Sequence, residues 1–287
     1  MDFEHLVAPT ATEVTVRDFD PGYGSEPFAT LCRDYPGPEA YPPRDFRVEW
    51  GPVFHRGRLD GSARLLVIGQ DPGVHEAVVR RILVGEAGQR AQGLLARLGI
   101  ERGYAMVNAF LYSVYGQAGG ERHVEDPAIV DYRHRWLDAL LLGDSRVEAV
   151  VAFGHLADRA FRGWLAAPAA QDRELVYAHL THPTQPEASS RGDAERYASA
   201  MRAMLANWNR GLELLFPAVG GGEVPRDLVP YGEALEPGDL AEIPAADLPA
   251  GLPPWMGQLQ AFADRQGATA ELKRATIVIT VPKAARP

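Results

Sequence analysis

The chain has 287 residues, 46% hydrophobic and 23% charged, with a formal net charge of −9. Those proportions are ordinary for a soluble globular protein of one or two domains, and no apolar run is long enough to cross a bilayer. The acidic start, Met1 to His5, lacks the basic and apolar regions of a signal peptide, and the single Cys32 excludes both an internal disulfide and a cluster held by several thiolates, so a cytoplasmic protein is expected. Acidity weighs against a nucleic-acid partner, but its distribution weakens that objection. Residues 1–50 carry ten acidic and four basic side chains, residues 210–287 ten and seven, and residues 51–209 eighteen of each. Nearly all the bases are arginine, which pairs with phosphate in bidentate fashion, so charge leaves the partner open.

In chain order, residues 1–55 are rich in Pro, Gly and acidic residues with scattered aromatics, among them Phe19, Tyr23, Phe28, Tyr35, Tyr41, Phe46 and Trp50. They read as an arm packing on the core, with one short helix near 28–33. The run Leu65 to Gly69 reads as a strand buried on both faces, and Gln70-Asp71-Pro72-Gly73 stops it with a sharp turn. Residues 74–81 are a loop or short helix. A helix follows with Ala87, Ala91, Leu94, Leu95 and Leu98 at helical spacing, closed by Gly99. Residues 104–110 read as a second strand with Asn108 near its end, and 111–125 as a glycine-containing loop. Asp126-Pro127 opens a helix to about 142 with Ile129, Trp136, Leu137, Leu140 and Leu141 on its buried face. Residues 147–153 are a third strand, 154–164 a helix and 175–180 a fourth strand ending in Thr181-His-Pro-Thr-Gln-Pro186. Asp193 caps a long helix to about Phe216.

Strands separated by helices imply parallel crossovers, hence an α/β unit on a mostly parallel four-stranded sheet, expected to span residues 56–216. Asp71, Asn108 and His182 each fall at or just past a strand's carboxyl end, where open α/β sheets place ligands. Residues 217–260 have no clear period and read as an extended wrap or linker. The β-prone tail 275–281 is either an added edge strand or a small separate element, and residues 217–287 are taken together as a carboxyl-terminal extension.

Gly69-Gln-Asp-Pro-Gly73, Leu83-Val-Gly-Glu-Ala-Gly-Gln-Arg90, Asn108 and His182-Pro-Thr-Gln-Pro186, in that order and on those elements, resemble the uracil-DNA glycosylase superfamily over roughly residues 60–215. The resemblance implies an α/β three-layer sandwich with a central mostly parallel four-stranded sheet, in agreement with the strand count above, and an enzyme that flips a nucleotide from DNA and hydrolyses its base–sugar bond. Asp71 then resembles the catalytic carboxylate, which stabilises the sugar cation and orients water, and His182 the donor to the base O2 as negative charge develops there. Asn108 resembles the amide that reads the base edge. Gln70, contributing mainly backbone contacts, joins Pro72, Gly73, Leu83 and Phe110 around the base. Gly88, Gln89 and Arg90, with Pro183, Thr184, Gln185, Pro186, Ser189, Ser190 and Arg191, match elements that meet DNA.

The departures from the family pattern are informative. Cys32 alone cannot hold the four-cysteine iron–sulfur cluster of the nearest branch. Leu83 stands where an aromatic ring usually stacks on the base, leaving Phe110 or Tyr112 to take that role. Gly73 stands where the most uracil-selective branch has a tyrosine that excludes 5-methyl groups. Gly73 and Leu83 together point to a roomier pocket.

The expected activity is a monofunctional glycosylase without cofactor or metal that leaves an abasic site. The only lysines, Lys273 and Lys283, lie outside the matched motifs, which speaks against a Schiff-base lyase step. The expected substrate is uracil or a 5-modified cytosine of the kind found in phage DNA, which would make this a defence enzyme. His179 and His182 should point to different faces of a strand, which disfavours a metal pair. Arg80, Arg81 and Arg90 are open to phosphate binding or to a solvated helix face. Two rival readings remain. One is a catalytically silent nucleic-acid-binding module on the same fold. The other is a hydrolase of free nucleosides or nucleotides, against which stands the lack of a glycine-rich phosphate loop.

Overall fold

A computed structural model describes residues 24–257 and 261–283. Phe19 and Tyr23 of the expected arm lie outside the described residues. The strands of the main sheet are β1 (Arg56–Gly57), β2 (Leu65–Gly69), β3 (Tyr104–Asn108), β4 (Ala149–Phe153) and β5 (Val176–Leu180), in the spatial order β1-β3-β2-β4-β5. β2 is parallel to β3 and β4, β4 is parallel to β5, and β1 alone runs antiparallel, against β3. The sheet is thus five-stranded rather than four-stranded. The extra strand is only two residues long, too short to leave a period in the sequence.

The helices are α1 (Phe28–Arg33), α2 (Val74–Val79), α3 (Gly85–Arg97), α4 (Gln117–His123), α5 (Pro127–Leu141), α6 (His155–Leu165), α7 (Gln185–Ser190), α8 (Ala194–Val219) and α9 (Ala270–Ala275). α4 replaces part of the loop expected over 111–125. Its glycines serve packing: a Cβ at Gly119 would lie 2.9 Å from the Val114 side chain, and one at Gly120 2.7 Å from Leu156. α8 begins as expected, with the Asp193 carboxylate accepting the Arg196 amide at 2.9 Å, and carries Pro217 in its last turn.

All five residues of β2 are buried, and they alternate between two cores. Leu66 and Ile68 pack with α1, α5 and α6 through Phe28, Trp136 and Phe161. Leu65 and Val67 pack with α3 and α8 through Leu94, Leu95, Trp208 and Leu212. Each such aliphatic side chain contributes about 1.5–3 kcal/mol by leaving water. Helix layers on both faces leave the sheet's carboxyl-terminal edge open for function.

Residues 217–257 wrap the α3 side, anchored by buried charge. Arg56 reaches Asp247 at 2.9 Å with both side chains fully buried, and the Tyr104 hydroxyl donates to the same carboxylate. Arg97 pairs with Asp239 and stacks 4.1 Å from the centre of the Tyr231 ring. The tail then forms a separate two-stranded antiparallel sheet, β6 (Ala263–Arg265) with β7 (Ile277–Ile279). Phe262 and Ala263 pack with Ile243, Leu248 and Met256 against Val79 and Val84, which sets this hairpin beside α2.

Candidate active site

β2 and β3 end in register, Gly69 opposite Asn108. Gly69 is needed there because a Cβ would collide with the Asn108 carboxamide oxygen. The chain leaves β2 through Gln70 and Asp71 and leaves β5 through Thr181 and His182. The result is a cleft of about 360 Å³ lined by Asp71, Asn108 and His182, together with Gln70, Gly73, His75, Glu76, Leu83, Thr184 and Ala261. That volume lies within the roughly 300–1,000 Å³ of small-molecule pockets.

Asp71 Oδ2 accepts the Val114 amide at 2.9 Å, while Oδ1 has no hydrogen bond among the described residues. Burial pushes this carboxyl up to about 6, against the pull of the Val114 amide, Arg47 and Arg265. The Val114 amide is itself positioned by a short antiparallel bridge. Phe46 pairs with Val114, the Arg47 amide donates to the Ser113 carbonyl at 2.8 Å, and the Tyr115 amide donates to the Asp45 carbonyl at 2.8 Å. The Asp45 carboxylate is tied to His123 at 2.9 Å and to Arg122; the His123 bond, ahead of the arginine, holds it down to about 2.

His182 is held down to about 4 by burial and then by the Arg90 charge, so its ring is neutral at neutral pH. The Thr184 hydroxyl and amide lie 3.1 and 3.3 Å from Nδ1. Accepting there leaves Nε2 as the protonated, donating nitrogen. Glu76 is buried in the same cleft, its carboxyl raised to about 7 by desolvation, with the Asp71 charge adding to the rise. A Cβ at Gly73 would lie 2.7 Å from Glu76 Oε2, so a carboxyl occupies the space beside this glycine. His75 accepts the Phe262 and Ala263 amides on Nε2 at 3.2 and 3.3 Å, which fastens the carboxyl-terminal hairpin to the cleft wall.

Leu83 lines the cleft at φ +51, a conformation side-chain-bearing residues seldom adopt. Gly88 sits against the Leu83 carbonyl so closely that any Cβ would clash. Pro72 is buried behind the turn. The Gln70 backbone carbonyl accepts the Phe110 amide at 3.0 Å, and its side chain accepts the Leu156 amide at 3.3 Å.

Several expectations are corrected here. Phe110 is wholly buried against Phe46, its centroid 5.4 Å away, and lines no part of the cleft; Tyr112 is likewise buried, against Tyr41. Neither ring replaces the missing aromatic. Gly88, Gln89 and Arg90 are buried on the inner face of α3 rather than presented to a ligand. The Arg90 guanidinium is spent on Glu187 at 2.7 and 3.1 Å, on Glu86 and on the Pro183 carbonyl. Pro183, Pro186 and Ser190 are also buried, Ser190 donating to the Glu187 carbonyl at 3.2 Å. Of the expected DNA-facing set, Gln185, Ser189 and Arg191 are exposed and Thr184 half-exposed. Arg80 is turned onto the Trp50 carbonyl, and Arg81 is buried. His179 and His182 do not diverge: both line a second cleft beside Gln70, since β5 ends at Leu180 and alternation stops before His182. Among the described residues, no group of three or more His, Cys, Asp or Glu side chains is arranged to hold a metal, and no helix is long and apolar enough to cross a membrane.

Sequence reasoning passed over Val114, whose amide acts through backbone and leaves no mark in residue type. It left Glu76 without a role, although a lone carboxylate three residues past the turn, amid Val78 and Val79, is a signal for a buried acid. Arg47 and Ala261 reach the site from distant parts of the chain.

A family model of the uracil DNA glycosylase superfamily, whose members are DNA glycosylases, matches residues 56–208, just over half of the chain. No curated relative matches it. The matched span begins at β1, takes in Asp71, Asn108 and His182, and ends within α8. The chain belongs to the uracil DNA glycosylase superfamily.

Proposed function

We propose that the protein is a monofunctional DNA glycosylase that hydrolyses the N-glycosidic bond of a flipped-out pyrimidine nucleotide and leaves an abasic site. The observation that carries this reading is the convergence of Asp71, Asn108 and His182, from three separate strand ends, on one cleft. Bond cleavage separates a sugar with oxocarbenium character from an anionic base. Asp71, ionised above pH 6 and with Oδ1 unengaged, stabilises the cation and aligns a water for attack at the anomeric carbon. His182, neutral and donating from Nε2, holds the oxygen on which the base's negative charge builds. Asn108, its amide fixed over Gly69, reads the base edge. Gln185, Ser189 and Arg191 at the exposed rim of α7 would meet the DNA.

Uracil is the default substrate. A 5-substituted pyrimidine, including a bulky modified cytosine of phage DNA, is the second reading. Its support is specific: among the described residues no Phe, Tyr or Trp lines the cleft, and beside Gly73 the wall is the polar Glu76 rather than a ring.

The test is incision of matched DNAs carrying uracil, a thymine mispair, 5-hydroxymethylcytosine or glucosylated hydroxymethylcytosine, with alkali added after incubation. A fall in cleavage of about 10²–10⁴-fold is expected in Asp71→Ala, the range typical of removing a general acid or base. Cleavage only at modified cytosine selects the second reading. Binding without cleavage of any substrate leaves a silent module, and release of base from free nucleosides alone makes the protein a nucleoside hydrolase.

A further inference from the structure

We propose that a basic cleft next to the candidate active site, built by Arg47, Tyr115, Arg265, Lys273 and Arg274, binds the phosphodiester backbone of the DNA strand whose nucleotide enters the pocket. The proposal rests on the glycosylase reading for its substrate but on different residues. Arg47 and the whole of β6, α9 and β7 lie outside the span that marks the superfamily.

The cleft measures about 460 Å³ and is lined by four cationic side chains, two of which lie over one ring. Tyr115 is sandwiched between guanidinium groups, the Arg47 Cζ 4.1 Å from its centroid and the Arg274 Cζ 4.0 Å. Arg47 is 6% exposed, donates through Nη1 to Ser113 Oγ at 3.0 Å and the Val114 carbonyl at 2.6 Å, and leaves a buried Nε with no partner. Among the described residues, none of Arg47, Arg265, Lys273 and Arg274 lies in an ion pair. Three carboxylates are near, one of them Asp71, which feels the charges of Arg47 and Arg265. Asp264 lines the cleft, with Oδ1 taking the Arg265 amide at 2.7 Å, and Glu49 accepts the Tyr115 hydroxyl at 2.9 Å.

Like charges are gathered here against their own repulsion, and Arg265 already pushes on Arg47. A polyanion relieves that repulsion. The charge pattern agrees: residues 261–287 hold five basic and two acidic side chains in a chain of net charge −9. Such a chain meets DNA productively only where positive charge is concentrated. The cleft also adjoins the chemistry, because Tyr115 follows the Val114 amide that holds Asp71. Arginine stacked on tyrosine keeps its fork of donors in a fixed plane, which suits phosphate oxygens.

The test is the salt dependence of binding to DNA containing a tetrahydrofuran abasic analogue, measured with the parent 287-residue chain and with Arg265→Gln/Lys273→Gln/Arg274→Gln. The three side chains are exposed, and an unchanged thermal melt checks that the variant folds. Each phosphate that the variant no longer neutralises should reduce the steepness of the fall of log K with log salt by about 0.9 on duplex DNA, so a loss of about 2–3 in steepness is expected. Asp71→Asn should abolish incision while keeping the parent slope. An unchanged slope in the triple variant, with incision intact in the parent, overturns the cleft and leaves the glycosylase reading standing. A shallower slope in the triple variant of a parent that incises nothing supports the cleft and overturns that reading. A parent chain that binds no DNA at low salt overturns both.

Discussion

The α3–α7 seam and the cleft at Arg47 both bring arginine near the active site, yet they differ in what faces the guanidinium. At the seam Arg90 is 3% exposed, and both of its terminal nitrogens are engaged by Glu187, Glu86 and the Pro183 carbonyl. There arginine is a tie that fixes the His182 loop to α3. At the cleft Arg47 donates hydrogen bonds only to neutral groups among the described residues, with Asp71 and Glu49 acting on it through charge alone, and Arg265, Lys273 and Arg274 are exposed around it. The availability of an arginine for phosphate is therefore set by the carboxylates opposite it, which sequence position does not reveal.

The largest effect expected from breaking this contrast lies in the anchor of the carboxyl-terminal wrap. Asp247→Ala leaves the Arg56 charge buried and unpaired, and removing one partner of such a pair costs about 3–5 kcal/mol. Chemical denaturation should register that cost, and DNA affinity should fall with it as the hairpin beside α2 loosens. Next comes the seam. Arg90→Ala removes charged hydrogen bonds worth about 1.5–3 kcal/mol each at most, discounted because Glu187 is partly solvated. Its melting temperature should drop while the salt slope of DNA binding stays at the parent value; a slope reduced by the equivalent of one phosphate would make Arg90 a phosphate ligand after all.

A smaller effect links cleft and pocket through pH. Asp71 must be ionised to act, and its carboxyl is raised to about 6, so incision should decline as pH falls through 6, about tenfold per unit below it. His182, held down to about 4, stays neutral across that range and adds no inflection. Arg265→Gln removes a positive charge that favours the carboxylate, so the midpoint should move to higher pH. A midpoint that moves down, or does not move, breaks the electrostatic link. The smallest effect is at Glu76. Burial raises its carboxyl to about 7, and Glu76→Gln keeps the shape of the neutral form. That variant should retain incision at pH 6 and lose only an inflection near 7 in the pH profile.

Four strands, their order in the chain and the turn at Gln70–Gly73 were legible because parallel strands are short, largely apolar runs and proline with glycine ends them sharply. The helix start at Asp126-Pro127 followed from the same local chemistry, although the Asp126 carboxylate bonds to His123 rather than capping. β1 and α4 were not legible, one too brief to carry a period and the other built on glycines that look like loop residues.

By itself the sequence determined the α/β class, the superfamily and the placement of Asp71, Asn108 and His182 at strand ends, since local propensity and motif order act along the chain. Only the tertiary structure decided that Phe110 is core, that Arg90 is a tie, that Glu76 fills the space beside Gly73 and that the carboxyl-terminal hairpin meets Arg47 beside Asp71. Those outcomes depend on which groups meet across the fold and on which face of an element turns inward, and burial and charge pairing are settled only when the layers pack.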